Sequence, residues 1–147
     1  MLQWLIVGGG LHGTYLSRLL TGSCSVKKQN VKVLDPHADP LACWFRNTGN
    51  TGMTHLRSPI VHHIDLDPAS LRKFATNWKK NKCWIAPYQR PSLDMFNAHC
   101  RQVIERNGVD GMRLQGSATR IRLESNHVVV ESPLRLQRPA RRWSDHG

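Results

Sequence analysis

The chain has 147 residues, of which 39% are hydrophobic and 21% are charged, and it carries a formal net charge of +11. This length accommodates one domain with its own core. No stretch approaches the roughly 18 consecutive apolar residues of a transmembrane helix, and the apolar N-terminus lacks the basic flank and cleavage site of a signal peptide, so we expect neither a membrane span nor secretion.

The first 35 residues predict a β-α-β unit. Residues 2–7 form a short apolar run that is typical of a buried parallel strand. Residues 11–20 predict a helix that ends before Gly22, with one apolar face made of Leu11, Tyr15, Leu16, Leu19 and Leu20. The run "VKVLD" at 31–35 predicts a second strand that lies parallel and next to the first.

Glycines in the spacing Gly8-x-Gly10-x-x-Gly13 join the first strand to the helix. In the dinucleotide-binding fingerprint the first glycine makes a tight turn, the second lets the backbone approach a pyrophosphate, and the third allows helix and strand to pack closely. Asp35 ends the second strand, where a carboxylate would accept hydrogen bonds from ribose hydroxyls, although its distance from Gly8 exceeds the usual spacing of about 20 residues. The alternative is a purely structural glycine turn.

Residues 36–68 show little periodicity and predict a long ordered loop, because they also contain Trp44, Phe45, Met53 and Leu56. Asp67-Pro68 predicts the start of a helix over 68–80. Ser92 predicts the cap of a helix that runs to about Asn107 and stops at Gly108, with the apolar stripe Leu93, Phe96, Cys100, Val103 and Ile104.

The C-terminal part of the chain predicts a β-hairpin followed by a tail. Residues 119–132 alternate on both sides of Ser125-Asn126, which indicates two short antiparallel strands. Residues 132–147 are rich in arginine without an apolar face, and we expect a basic, disordered tail there.

Cysteines and histidines give weaker signals. Cys24, Cys43, Cys83 and Cys100 have no CxxC spacing and predict free, mostly buried thiols in a cytoplasmic protein. Adjacent histidines at 62 and 63 point to opposite sides of an extended chain, and no third ligand lies at a characteristic spacing, so no metal site is predicted.

Five segments carry a resemblance to a known family: "VGGGLHGTYLSRLL", "VLDP", "WFRNTGNTGMTHLRSP", "HHIDLDPASLRKFA" and "RPSLDMFNAHCRQVI". Over about residues 1–131 they resemble FAD/NAD(P)-binding oxidoreductases of the lysine/ornithine N-monooxygenase and flavin-containing monooxygenase type. The resemblance implies an α/β, Rossmann-like FAD-binding domain of the two-dinucleotide-binding class. It also implies a flavin-dependent oxidoreductase or monooxygenase, with FAD as cofactor and NAD(P)H as co-substrate.

The same resemblance implies roles for individual residues. The FAD pyrophosphate would lie against Gly8, Gly9, Gly10, Leu11, His12 and Gly13. The ribose would lie beside Asp35 and Pro36, and the flavin ring near Trp44, Arg46, Met53 and Leu56. The backbone of Ala118, in a strand after Gly116, would meet the adenine.

The chain also departs from that family. A later strand with a small-residue run and a second glycine fingerprint for NAD(P)H do not appear in the sequence. We therefore interpret the FAD-binding domain as incomplete, with little turnover by itself and an open sheet edge through which it could associate. A truncated, frameshifted or split protein each fits that interpretation.

The charge keeps a second function open. The tail carries +3 of the +11, which leaves +8 on residues 1–132, with Lys79, Lys80 and Lys82 as one cluster. A non-catalytic basic module that binds nucleotides or nucleic acid is the alternative, although a solvated basic face explains the lysines equally well, so nucleic acid is not favoured as a partner. The substrate, the choice between NADH and NADPH, and the oligomeric state stay open.

Overall fold

The N-terminal β-α-β unit forms as the sequence predicts. The computed structural model describes residues 2–78 and 83–133. Strand β1 (Trp4–Val7) pairs in parallel with β2 (Val31–Asp35), with Ile6 opposite Val33, and helix α1 (Leu11–Gly22) connects the two strands. The prediction that these segments are adjacent parallel strands is confirmed.

A third parallel strand lies on the other side of β2. Strand β5 (Arg113–Gln115) pairs with β2, which gives the sheet order β1-β2-β5. Its three residues are too few to show a periodic pattern, so the sequence does not predict this strand. Because β2 lies between two strands, Val31, Val33 and Leu34 are almost completely buried.

The segment predicted as a long loop contains helix α2 (Ala42–Asn50), which sequence analysis missed. Asn, Thr and Gly, all weak helix formers, occupy its last turn, while Trp44 and Phe45 pack against the hydrophobic core. Tertiary packing therefore stabilises a helix that local propensity does not favour.

Helix α3 (Ser70–Thr76) is shorter than the predicted helix over 68–80. The Asp67 carboxylate accepts a hydrogen bond from the Ala69 N–H at 2.9 Å, and the Asp67 carbonyl accepts one from Ser70. These bonds form a turn that delays the start of the helix. Residues 79 and 80 lie outside the described residues.

Helix α4 (Leu93–Asn107) agrees with its prediction. The Ser92 hydroxyl accepts a hydrogen bond from the Met95 N–H at 3.4 Å, and Gly108 ends the helix with φ of 60°. All five residues of the predicted apolar stripe are buried.

Two antiparallel hairpins complete the mixed α/β fold. Strands β3 (Trp84–Ile85) and β4 (Arg90–Pro91) form a short hairpin before α4 that was not predicted. The predicted hairpin around Ser125-Asn126 is confirmed as β6 (Arg120–Leu123) paired with β7 (Val128–Glu131). Residues 134–147, most of the predicted tail, lie outside the described residues.

The buried side of α1 is not the predicted leucine face. Thr14, Ser17 and Arg18 are buried together with Leu20, whereas Tyr15 and Leu16 are 38% and 41% exposed. The prediction was wrong because a buried carboxylate, Asp65, draws Arg18 inward. Gly22 is the last residue of the helix rather than the residue after it. A Cβ at that position would come within 2.7 Å of the Leu66 side chain.

No disulfide joins any of the four cysteines, and the expectation that most of them are buried was wrong. Cys24 and Cys43 are exposed, Cys83 is half-buried and Cys100 is buried. Burial among apolar side chains of the core raises the pKa of the Cys100 thiol to about 12, so this thiol stays protonated and unreactive.

Across the described ranges, no helix combines the length and the apolar character needed to cross a membrane.

Candidate functional site

Backbone conformation or close contacts within the chain explain three of the glycines at the junction of β1 and α1. Gly8 has φ of +104°, in the left-handed region that glycine adopts without strain. A Cβ on Gly13 would lie 1.9 Å from the Gly8 carbonyl oxygen, so the predicted close packing of helix and strand is present. A Cβ on Gly9 would lie 2.8 Å from the Arg113 guanidinium and 3.1 Å from the Asp35 side chain.

No comparable contact or conformation explains why residue 10 is a glycine. It is the N-cap of α1 in an extended conformation, and a Cβ there would meet nothing within 4 Å. The helix has no side-chain cap and no acidic residue in its first turn, and its first hydrogen bond runs from the Thr14 N–H to the Gly10 carbonyl. The N–H groups of Leu11, His12 and Gly13 therefore precede the first hydrogen bond of the helix, and they lie at the positive end of the helix dipole.

Asp35 lies against the turn rather than away from it. Its Oδ2 accepts a hydrogen bond from the Gly9 N–H at 2.7 Å, and its Oδ1 accepts one from the His37 N–H at 2.9 Å. The His37 Nδ1 lies 3.1 Å from the same Oδ1 and carries the proton, because an ionised carboxylate only accepts. One lone pair on Oδ2 is left for a hydroxyl group of a ligand.

A buried arginine holds this arrangement together. The Arg113 guanidinium lies 3.8 Å from Asp35 Oδ1 and donates hydrogen bonds to the carbonyl oxygens of His37 at 2.8 Å and Asp39 at 3.3 Å. Burial opposes ionisation of Asp35, but the hydrogen bonds from Gly9 and His37 and the charge of Arg113 outweigh it, so the pKa of Asp35 lies below its ordinary value.

A cavity of about 650 Å³ adjoins the first turn of α1. Four of the predicted site residues line it: Leu11, His12, Trp44 and Leu56. Tyr15, Ser58, Val61, His62, His63, Ile64, Asp65, Leu66, Pro68 and Phe96 also line it, and sequence analysis did not assign them to a site. The cavity therefore begins directly after Gly10 and has an aromatic and aliphatic wall.

Side-chain contacts orient the aromatic residues of the cavity wall. The Trp44 indole N–H donates a hydrogen bond to Asn97 Oδ1 at 2.9 Å, and the Trp44 and Phe96 rings lie 5.5 Å apart at 57°. Phe96 was predicted from helical spacing as a core residue, and it is both buried and part of the cavity wall. The spacing of apolar residues along one helix predicts which of them lie in the core. It does not predict a cavity wall to which four separate segments contribute.

Other predicted site residues do not line the cavity. The Pro36 carbonyl accepts a hydrogen bond from Gln115, Arg46 is near the exposed Cys43 Sγ, and Met53 packs on the core. Ala118 lies in the connection between β5 and β6, so the expectation of a strand at Ala118 was wrong.

Ion pairs to the buried Asp65 carboxylate fix another part of the cavity wall. The Asp65 carboxylate accepts hydrogen bonds from Arg18 at 2.7 Å, from Arg106 at 2.6 Å, from the Ser70 hydroxyl at 2.5 Å and from the Leu66 N–H at 2.7 Å. Burial opposes ionisation, but these donors hold the pKa of Asp65 well below its usual range. The cluster joins α1, α3 and α4 to the cavity-lining segment.

His99 extends this cluster into the core. Because the Ser70 hydroxyl donates to Asp65, it accepts at 2.9 Å from His99 Nε2, which therefore carries the proton. His99 Nδ1 is buried without a hydrogen-bond partner among the described residues. Protonation of Nδ1 would therefore bury a charged imidazolium whose second N–H has no acceptor among the described residues. Burial, together with the neighbouring His63, lowers the pKa of His99 to about 4.

We expect acid to destabilise the chain through His99. Below pH 6.5, the ordinary pKa, the unfolded chain binds a proton that the folded chain takes up only near pH 4. The free energy of unfolding should fall by roughly 3 kcal/mol between these values, and urea titrations at a series of pH values measure it. His99→Gln should flatten this window; an unchanged slope in the variant would exclude His99 as the cause.

His62 and His63 both line the cavity, unlike the opposed pair expected from an extended segment. His63 Nδ1 accepts a hydrogen bond from the Asp65 N–H at 3.2 Å, and its Nε2 lies 3.1 Å from the Pro68 carbonyl oxygen. In the part of the chain that the structure describes, no group of three or more histidine, cysteine or acidic residues has a geometry suited to a metal ion.

The fold and this geometry define a mixed α/β protein with a three-stranded parallel sheet, whose glycine turn opens beside a cavity. No protein-family model, curated protein or solved structure matches the chain.

Proposed function

We propose that the chain binds FAD, with the pyrophosphate at the first turn of α1 and the flavin ring in the adjoining cavity. The observation that carries the proposal is the position of Gly10, where a Cβ would meet none of the described residues within 4 Å. This glycine lies at a helix N-terminus without a side-chain cap, next to a cavity. A purely structural turn explains Gly8, Gly9 and Gly13 but not the glycine at position 10.

The cavity suits a planar, mostly apolar ring. Its volume of about 650 Å³ falls within the range of roughly 300–1,000 Å³ that is typical of ligand sites. Its wall offers the aromatic side chains of Tyr15, Trp44 and Phe96 beside aliphatic ones. The N–H groups of Leu11, His12 and Gly13 suit a pyrophosphate, and the remaining Oδ2 lone pair of Asp35 suits a ribose hydroxyl.

As function we propose part or all of a flavin-dependent oxidoreductase, of the monooxygenase type that the sequence resembles. When bound, the flavin would accept hydride from NAD(P)H, while the chain would bind and orient the flavin. We also propose a cytoplasmic location, which four cysteines without a disulfide support.

Absorbance tests flavin binding against the alternative of a basic module. Protein purified with FAD and freed of unbound cofactor should absorb at about 450 nm, as bound flavin does. A colourless protein that shifts the mobility of DNA or RNA at physiological salt would instead support the alternative.

Variants of Tyr15 and Leu16 distinguish an effect on the cavity from an effect on the fold. Tyr15→Ala should weaken FAD binding about tenfold, because an aromatic wall of the cavity is lost. Its neighbour Leu16 is equally exposed on the same helix but does not line the cavity, so Leu16→Ala should leave the affinity unchanged. Equal effects of the two variants in fluorescence titrations would place the ring elsewhere.

A further inference from the structure

The outer edge of strand β1, which is the side away from β2, is unusual for the edge of a parallel sheet. Among residues 2–78 and 83–133, no strand pairs with that edge. Trp4 and Val7 are 48% and 52% exposed, whereas Val31 and Val33 on the neighbouring strand are buried. Parallel strands are normally covered on both faces, and natural edge strands often carry charged side chains or are shielded by other segments. The other edge strand, β5, has only three residues and begins with the buried Arg113.

The strand order indicates that something belongs beside β1. The chain steps from β1 to β2 to β5, always away from the outer edge of β1. In open doubly wound sheets the first strand lies between the second strand and one that follows the reversal of strand order. In a sheet of that kind, the outer edge of β1 would be the position of the reversal.

We propose that this edge docks an extended, acidic segment of a second polypeptide, which adds a strand beside β1. Main-chain hydrogen bonds to the edge would supply affinity, and apolar side chains of the segment would cover Trp4 and Val7. The proposal depends on strand order, exposure and charge, so it stands independently of FAD binding.

The charge of the chain selects this occupant over the others. Two copies of a chain with a net charge of +11 repel each other, whereas an acidic segment is attracted. Residues 134–147 of the same chain carry four arginines and a proline at 139, which lacks the N–H group that a paired strand donates.

Two backbone amides report on the edge. The Gly8 N–H donates to the Leu34 carbonyl at 2.8 Å, so the alternate residue Ile6 also faces β2, and the N–H groups of Leu5 and Val7 face outward. In the chain alone we expect a monomer in which these two amides exchange with solvent without protection. Slow exchange in a monomer would assign the edge to residues 134–147, and slow exchange in a dimer to a second copy; either result overturns the proposal.

The binding experiment uses a peptide of about ten residues with alternating valine and threonine flanked by glutamates, and a matched peptide flanked by lysines. The acidic peptide should slow exchange at Leu5 and Val7 and bind at least about tenfold tighter than the basic one. Equal binding of the two peptides, or no protection by the acidic one, would overturn the proposal.

Variants locate the interaction. Trp4→Glu removes the apolar ring and places a negative charge on the edge, so it should weaken binding of the acidic peptide about tenfold or more. Leu123→Glu makes the same change of charge at an apolar side chain that is 85% exposed on the β6–β7 hairpin, and it should have no effect on binding. Circular dichroism and thermal unfolding show whether each variant is folded, and the reverse ranking of the two variants would move the site to the hairpin.

Discussion

Replacing Gly10 by aspartate should abolish FAD binding and at the same time stabilise the chain by about 1 kcal/mol. An aspartate at the N-cap of α1 accepts hydrogen bonds from the first turn and complements the helix dipole, which the natural sequence leaves uncapped. The same carboxylate takes the place proposed for the pyrophosphate and repels it. Stability and binding therefore move in opposite directions, and chemical denaturation together with flavin titration measures both.

Gly10→Val supplies the uncharged control. The extended conformation of Gly10 and the open space around it accept a valine without a clash, so the chain should fold. Binding should still be lost, because the side chain blocks the approach of a ligand to the backbone. Retention of FAD by both variants would mean that position 10 has no contact with the ligand.

Replacing Gly13 by alanine should destabilise the chain by about 4 kcal/mol or more, a large part of the stability of a domain of this size. The new Cβ would lie 1.9 Å from the Gly8 carbonyl oxygen and 3.4 Å from the Ile6 side chain. Since the nearest atom is backbone, β1 and α1 would have to move apart.

Gly49→Ala is the matched control for Gly13→Ala. Gly49 also lies in a helix, and a Cβ there would meet nothing within 4 Å. Alanine should stabilise that helix by roughly 0.5–1 kcal/mol through its higher helix propensity. Thermal unfolding of the two variants should give shifts of opposite sign; a mild effect of Gly13→Ala would contradict the close approach of helix and strand.

Local signals in the sequence were sufficient for part of the fold. Strand β2, helix α4 and the β6–β7 hairpin were predicted because each has a clear period and turn or cap residues such as Ser92 and Gly108. Helix α2 and strand β5 depend on contacts with distant segments, which no local pattern records. The polar face of α1 was missed for the same reason, because Arg18 is buried only when Asp65 is present to pair with it.

The glycine turn was predictable and the cavity wall was not. Gly8 and Gly13 have the conformations or contacts that their spacing predicts, and Asp35 reaches the turn through Gly9. The wall from Ser58 to Pro68 is set by the bonds of Asp65 to Arg18 and Arg106, which lie 47 and 41 residues away along the chain. A single sequence gives no signal for partners at that separation.

The measurement that tests the central claim most directly is a calorimetric titration of FAD, riboflavin and ADP into the unliganded chain. If the pyrophosphate binds at the first turn of α1 and the ring binds in the cavity, FAD should bind at one site per chain, far more tightly than riboflavin, which has no phosphate. ADP should compete with FAD, and Gly10→Asp should remove both the FAD and the ADP signal. Absence of FAD binding, or equal affinity for FAD and riboflavin, would contradict the proposed site.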